Sequence, residues 1–201
     1  MRRLTTLALA ILMILTVGQA ALGFGRFGAT DLMYVPTSGT LADGAFGLWG
    51  NFAGGTSMVG MDLGLATNLE LGVTAWIGDG WTEASLRGKF HLLSEKSDGF
   101  GLAVGIQDMG LGYVSPYVVA GKTLGTGLQG YLGVGGGAID GVFFGLNKNL
   151  GSMRGASLFL EYDSHNLNVG GRFKIANNLG LDIGIVDLDN VVVGVSFVNR
   201  F

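Results

Sequence analysis

Apolar and polar residues alternate with a period of two along most of this chain. The clearest stretch is TEASLRGKFHLL at 82–93, where Ala84, Leu86, Gly88, Phe90 and Leu92 interleave with Glu83, Ser85, Arg87, Lys89 and His91. LELGVTAWI at 69–77 sets Leu69, Leu71, Val73, Ala75 and Ile77 against Glu70, Gly72, Thr74 and Trp76. FGLAVGIQ, ASLFLEYD, NLNVGGRFK and LGLDIGI repeat the pattern further on. Side chains alternate across the two faces of a β-strand, so each stretch predicts a strand with one apolar and one polar face. The stretches recur every 10 to 15 residues and are separated by turn residues, including TN at 67–68, GDG at 78–80, SHN at 164–166 and ANN at 176–178. This spacing predicts ten to twelve strands. Glycine blurs the alternation between Gly44 and Ala66. No helical periodicity of useful length follows the first two dozen residues.

The last stretch, VVVGVSFVNRF, keeps the alternation to the final residue. Val191, Val193, Val195, Phe197 and Phe201 share one face, with Asn199 as the polar exception. The first stretch differs. Arg2 and Arg3 precede an apolar run from Leu7 to Val17 and then small residues. That is the layout of a secretory signal peptide, with cleavage expected near 20–23. The run is short for a membrane helix, which needs about 20 residues. The expected organisation is therefore a signal peptide at 1–23 and one domain at 24–201.

Composition decides what kind of β-domain this is. Of 201 residues, 48% are hydrophobic, 13% are charged and 38 are glycine. A typical soluble protein carries about 25% charged residues and about 7% glycine. An exported β-sandwich also alternates, but its outer faces should be polar. Here the polar faces carry the charges, and strand lengths suit a tilted bilayer crossing of about 9–11 residues. The expected fold is an all-β, transmembrane, antiparallel up-and-down β-barrel, whose closure leaves no unpaired sheet edge in lipid. Its location would be the bacterial outer membrane, with membrane lipid as its surroundings.

VVVGVSFVNRF resembles the C-terminal strand of bacterial outer-membrane barrels. That resemblance implies that Val191, Val193, Val195, Phe197 and Phe201 form a signal read by the barrel-assembly machinery. TDLMYVPTSGTLADGAF at 30–46, PYVVAGKTLGTGLQGYLGVGGG at 116–137 and SLFLEYDSHNLNVGGRFKI at 157–175 are similar to segments of the YjbH-like outer-membrane proteins. Ser38, Gly121 and the Ser164-His165 turn depart from that family's pattern. The resemblance implies a minimal-length member of an exopolysaccharide-associated family, with polysaccharide export components as partners.

Candidate chemistry is sparse. There are two histidines, His91 and His165, and no cysteine. Metal-ligand spacing is missing, so neither a metal nor another cofactor is expected. Ser164, His165 and Glu161 are too close in sequence to converge as a triad. Glycine repeats such as GVGGG do not lead from a strand into a helix, so they do not predict phosphate binding. Loss of Arg2 and Arg3 with the leader leaves 10 basic against 15 acidic residues, which argues against nucleic acid as a partner. The chain is expected to be non-enzymatic, with a structural or envelope accessory role. Glu70, Glu83, Arg87, Lys89, Glu161, Asp163, Arg172 and Lys174 are the candidate lumen-facing charges. They suit either paired filling of a small barrel or the lining of a small diffusion channel. A lipid-modifying barrel enzyme is a third, weaker alternative.

Deleting Phe201 should lower the yield of folded barrel in outer-membrane fractions, read by heat-modifiable gel migration, while export continues. Equal folded yield with and without Phe201 would remove the assembly role of the terminal aromatic.

Overall fold

A computed structural model describes residues 28–96, 99–151 and 155–201. The expected leader at 1–23 lies outside the described residues. Twelve antiparallel strands form one closed barrel: β1 (Ala45–Ala53), β2 (Thr56–Ala66), β3 (Leu69–Gly78), β4 (Trp81–Leu93), β5 (Gly101–Met109), β6 (Ser115–Gly125), β7 (Leu128–Gly135), β8 (Gly141–Asn149), β9 (Ala156–Tyr162), β10 (Leu167–Ala176), β11 (Leu179–Val186) and β12 (Asn190–Arg200). Each strand pairs with the next, and β12 closes on β1, from Ala45 opposite Arg200 to Ala53 opposite Val192. This closure explains why the chain keeps strand character to its end. The glycine-blurred region resolves into β1 and β2. Both chain ends of the wall lie at one rim, here termed the terminal end; the opposite rim is the far end.

The alternation divides inside from outside. Leu86, Phe90, Leu71 and Ile77 are exposed on the outer face, whereas Glu70, Arg87 and Lys89 are buried inside. Aromatics cluster near both rims of the outer face: Phe46, Phe90, Phe173, Phe197 and Phe201 toward the terminal end, Phe52, Trp81 and Tyr113 toward the far end. Phe46 and Phe201 stack at 6.0 Å, so the terminal aromatic bridges the β1–β12 seam. An apolar belt between aromatic girdles is the exterior of a barrel that sits in lipid.

The hairpin around Asp79-Gly80 has the register that the alternation predicts, with Gly72 opposite Arg87 and Glu70 opposite Lys89. Asp-Gly is a dipeptide that favours the type I′ hairpin turn, but this turn is not one. Only Gly80 takes a positive φ, +76°, whereas type I′ needs left-handed backbone at both central residues. The left-handed backbone thus falls on glycine, which has no Cβ to strain, and Asp79 is spared it.

Inward glycines give the wall its compactness. A Cβ on Gly60 would lie 2.3 Å from the Trp49 ring, one on Gly105 2.2 Å from Tyr117, one on Gly133 2.2 Å from Phe143 and one on Gly170 2.3 Å from Phe159. In each case an aromatic ring from the neighbouring strand lies over the glycine's bare backbone. This accounts for a good part of the glycine content. Large inward rings fit only where the adjacent strand supplies no side chain.

The wall does not fill its own interior. Eight strands suffice for side chains to pack solid, and about 16–18 leave an aqueous channel. Here the gap is filled by the chain itself. The barrel was expected to span 24–201, but the wall begins at Ala45, and the segment 28–44 runs inside it. Leu32, Met33 and Val35 of this segment pack on Ala103, Tyr117, Val119, Phe143 and Phe159 of the wall and on Ile139 of the β7–β8 connection.

Gly133→Ala should destabilise the barrel by about 1–3 kcal/mol, because its Cβ would also meet the Val118 carbonyl oxygen at 2.5 Å. Gly54→Ala, with nothing within 4 Å, should change little. Denaturant midpoints of the two variants in lipid check this; equal midpoints would contradict the ring-over-glycine packing.

Candidate functional site

The segment 28–44 forms a loop that starts inside the barrel beside Arg87 and Glu70, turns at Met33-Tyr34 near the far end, and descends to Gly44 at the terminal end. Leu32 N–H donates to the Val35 carbonyl at 3.0 Å, closing the turn. Loop backbone buried in a barrel must find hydrogen-bond partners there, since water is excluded. The wall supplies them as charged side chains.

Glu161 holds the tip. Its carboxylate accepts the amides of Met33 at 3.0 Å, Tyr34 at 2.7 Å and Val35 at 3.2 Å. Three successive N–H groups converging on one anion make a small backbone cradle. Asn168 Nδ2 donates to the same carboxylate at 3.2 Å and to Asp163 at 3.1 Å. Glu161 and Asn168 face each other across β9 and β10, which fixes the clamp on the sheet.

A second group holds the stem. Lys89 Nζ lies 2.5 Å from Asp31 and also donates to Thr30 Oγ1 at 2.6 Å and the Gly39 carbonyl at 3.1 Å. Glu70 accepts from Thr30 Oγ1 at 3.0 Å and from the Leu41 amide at 2.8 Å. Glu70 and Lys89 are thus neighbours in register, but both carboxylate and ammonium are used to grip the loop. Arg87 pairs with Asp62 and donates to Thr74, and its guanidinium lies 5.0 Å over the Trp49 ring. Asp62 also accepts the Ala29 amide and Trp49 Nε1, each at 2.9 Å. Gly72 stands between Asp62 and Arg87 in the sheet. A Cβ there would lie 2.0 Å from Asp62 and 2.7 Å from Arg87, so glycine makes room for the ion pair. Arg172 pairs with Asp182 at 3.1 Å and donates to the Asp31 carbonyl at 3.1 Å.

Six of the eight expected lumen charges therefore belong to two different settings. Glu70, Lys89, Glu161 and Arg172 bond the loop directly, and Arg87 holds Asp62, which accepts the Ala29 amide. Asp163 instead organises the turn after β9, accepting the His165 and Asn166 amides at 3.0 and 2.8 Å. The remaining two stand apart. Glu83 is exposed at the far end of β4, and Lys174 lies at the terminal rim against Gly155. Asp31, Asp62 and Asp182 also stand inside the barrel, beyond the eight expected lumen charges. Asp62 sat in the glycine-blurred stretch, and Asp31 belongs to a segment with no alternation. The available signal for Asp62 was positional: once β2, β3 and β4 are in register, Gly72 leaves it facing Arg87.

Catalytic constellations do not form from the candidates. Ser164 Oγ lies 3.1 Å from His165 Nδ1, but Glu161 is turned inward to the loop amides. No cluster of three or more metal-ligating side chains occurs among the described residues. Two cavities flank the loop. One, about 360 Å³, opens at the terminal end; the other, about 280 Å³, lies at the far end beside Tyr34 and His165.

No protein-family model matches the chain, and no curated protein matches its sequence. Solved structures do match its fold. The KdgM porin aligns with a TM-score of 0.57 at 13% identity, over 76% of this chain and 98% of the porin. The KdgM porin in complex with disordered oligogalacturonate aligns with a TM-score of 0.55 at 14% identity, over 78% of this chain and 99% of its own. The Acinetobacter baumannii outer membrane protein Omp33 aligns at 10% identity with a TM-score of 0.48, over 78% and 97%. At these identities the likeness to the two KdgM structures is one of fold: a closed porin-like barrel.

Glu161→Ala should release the loop tip while the wall stays folded. Each buried amide left without an acceptor costs about 1–3 kcal/mol. Hydrogen exchange at Met33, Tyr34 and Val35 should accelerate by about two orders of magnitude. Unchanged exchange at these three amides would show that Glu161 does not hold the loop.

Proposed function

We propose that this protein is an outer-membrane barrel of diffusion-channel type, held closed by its own luminal loop. The observation that carries the reading is the chemistry of the wall beneath the loop. Asp62, Thr74, Glu70, Arg87, Lys89, Glu161, Asn168, Arg172 and Asp182 all face inward and all are polar. Buried ion pairs are seldom better for stability than apolar residues of similar volume. The loop backbone accounts for the acids that accept its amides, but it does not require Arg87, which is spent on Asp62 and Thr74 of the wall. With the loop displaced, the same groups would line a wet lumen and be solvated without penalty. The porin-like fold of the solved neighbours supports the same reading. The terminal end would face the periplasm, and the seam at Phe201 would be the feature read by the assembly machinery.

An envelope or exopolysaccharide accessory role is the second reading. It is favoured by the YjbH-like segments and by the presence of oligogalacturonate in one structural neighbour. Passage of an acidic polysaccharide is not favoured, however. Arg87, Lys89 and Arg172 are each matched by an aspartate, and Glu70 and Glu161 add further negative charge.

Planar-bilayer recording separates the two. The full chain should conduct rarely, and Glu161→Ala/Lys89→Ala should open frequently and with a slight preference for cations, given the remaining acids. A variant that is heat-modifiable, hence folded, yet as silent as the full chain would favour the structural role.

A further inference from the structure

The outward phase of the described strands carries two charged residues, and they stand close together. They are Lys122 on β6 and Lys148 on β8. Both are exposed, and neither has an ion-pair partner among the described residues. Glu95 is engaged elsewhere, accepting the amide and hydroxyl of Thr123 at 2.6 and 3.2 Å. Lys122 stands opposite Gly130 of β7, whose other neighbour is Leu146, and Lys148 stands opposite Leu128. The two lysines are thus two strands and two residues apart, about 12 Å by ordinary sheet spacings. Two lysine side chains can reach one group placed between them over that span. Lys148 Nζ donates to the Thr126 carbonyl at 2.7 Å, which draws it over β7 toward the β6–β7 turn. Both residues lie near the terminal rim, where β6 ends at Gly125 and β8 at Asn149.

A groove of about 350 Å³ runs along the outer wall from Lys122. Its floor is the bare backbone of Gly130, and Leu124, Leu132, Phe144 and Leu146 form its sides. A Cβ on Gly130 would meet Leu124 Cδ1 at 2.8 Å, so glycine keeps the floor low. Ala120, the small outward residue before Lys122, extends it away from the rim. Lysines near the end of a membrane element stretch their ammonium groups to the headgroup level. A lysine that only does this needs neither a trough nor a second cation beside it. An apolar trough ending in two unpaired cations fits an amphiphile with a chain in the trough and an anionic head at the rim. We infer that the groove over Gly130 is a binding site for one anionic glycerophospholipid, its phosphate held between Lys122 and Lys148. A zwitterionic phospholipid carries its own ammonium group and gains less from the pair. The groove lies on the outside of the wall, so the inference is independent of whether the luminal loop opens.

The test uses the full chain in a neutral detergent, with phosphatidylglycerol or phosphatidylethanolamine of the same acyl chains added. Native mass spectrometry counts the lipid that stays bound. A single phosphatidylglycerol should be retained, and about fivefold or more in preference to phosphatidylethanolamine, as expected for basic residues facing anionic lipid. Lys122→Gln/Lys148→Gln should lower phosphatidylglycerol to the level of phosphatidylethanolamine. Ala120→Phe, which fills the groove from the lipid side, should lower it although both lysines remain. Lys174→Gln, at the same rim but on the inward phase, should change nothing. Heat-modifiable migration confirms that each variant is folded. Equal retention of the two lipids by the full chain would overturn the inference. So would undiminished phosphatidylglycerol in the folded double variant or in Ala120→Phe, or an equal loss in Lys174→Gln.

Discussion

A ring of twelve strands encloses more space than its own inward side chains can fill, and in lipid that space cannot be left as an apolar void. The rest of the structure follows from how this chain meets that constraint. It folds seventeen residues of itself, 28–44, into the lumen ahead of the first strand. A loop placed there takes peptide groups out of bulk water. The wall must then supply hydrogen-bonding partners at fixed heights. Glu161 at the tip, Glu70 and Lys89 at the stem, and Asp62 beside Ala29 are those partners. The charges inside the barrel are thus matched to a backbone, and only secondarily to each other.

Glycine serves the same end from the opposite direction. Where the wall needs bulk, it borrows a ring from the next strand, and the glycine beneath lets the two strands keep their spacing. Trp49 over Gly60 and Phe143 over Gly133 are examples. Where the wall needs an ion pair, Gly72 clears the space between Asp62 and Arg87. Apolar contacts from Leu32, Met33 and Val35 complete the seal on one side, each fully buried side chain contributing about 1.5–3 kcal/mol.

Strand identity, facing and the β3–β4 register were legible in the sequence because period-two alternation is a local property. A one-residue slip would have turned Leu71 inward and Glu70 outward, and lipid forbids it. The luminal loop was not legible. Residues 30–44 show no alternation, and their partners lie up to 141 positions away, as Arg172 does from Asp31. Burial of such a segment depends on barrel radius, which emerges only when β12 meets β1. Asp31 carries no signal for the same reason, and Asp62 carries none because glycine blurs β2, whereas Glu161 stands out on a cleanly alternating strand. Lys174 and Glu83 have the inward phase but sit beyond the packed height of the lumen. Phase alone does not give height.

The placement of the loop inside the wall is the claim on which the remaining conclusions rest, and the chain's lack of cysteine makes it directly testable. The Cβ of Ser38 lies 3.5 Å from the position a Cβ would take on Gly101 of β5. That separation is within the disulfide range of about 3.5–4.5 Å. The double variant Ser38→Cys/Gly101→Cys, oxidised after folding in membranes, should form an intramolecular disulfide in nearly every molecule, seen as a mobility shift that reductant reverses. A folded, heat-modifiable barrel in which both thiols stay free would contradict a loop seated in the lumen.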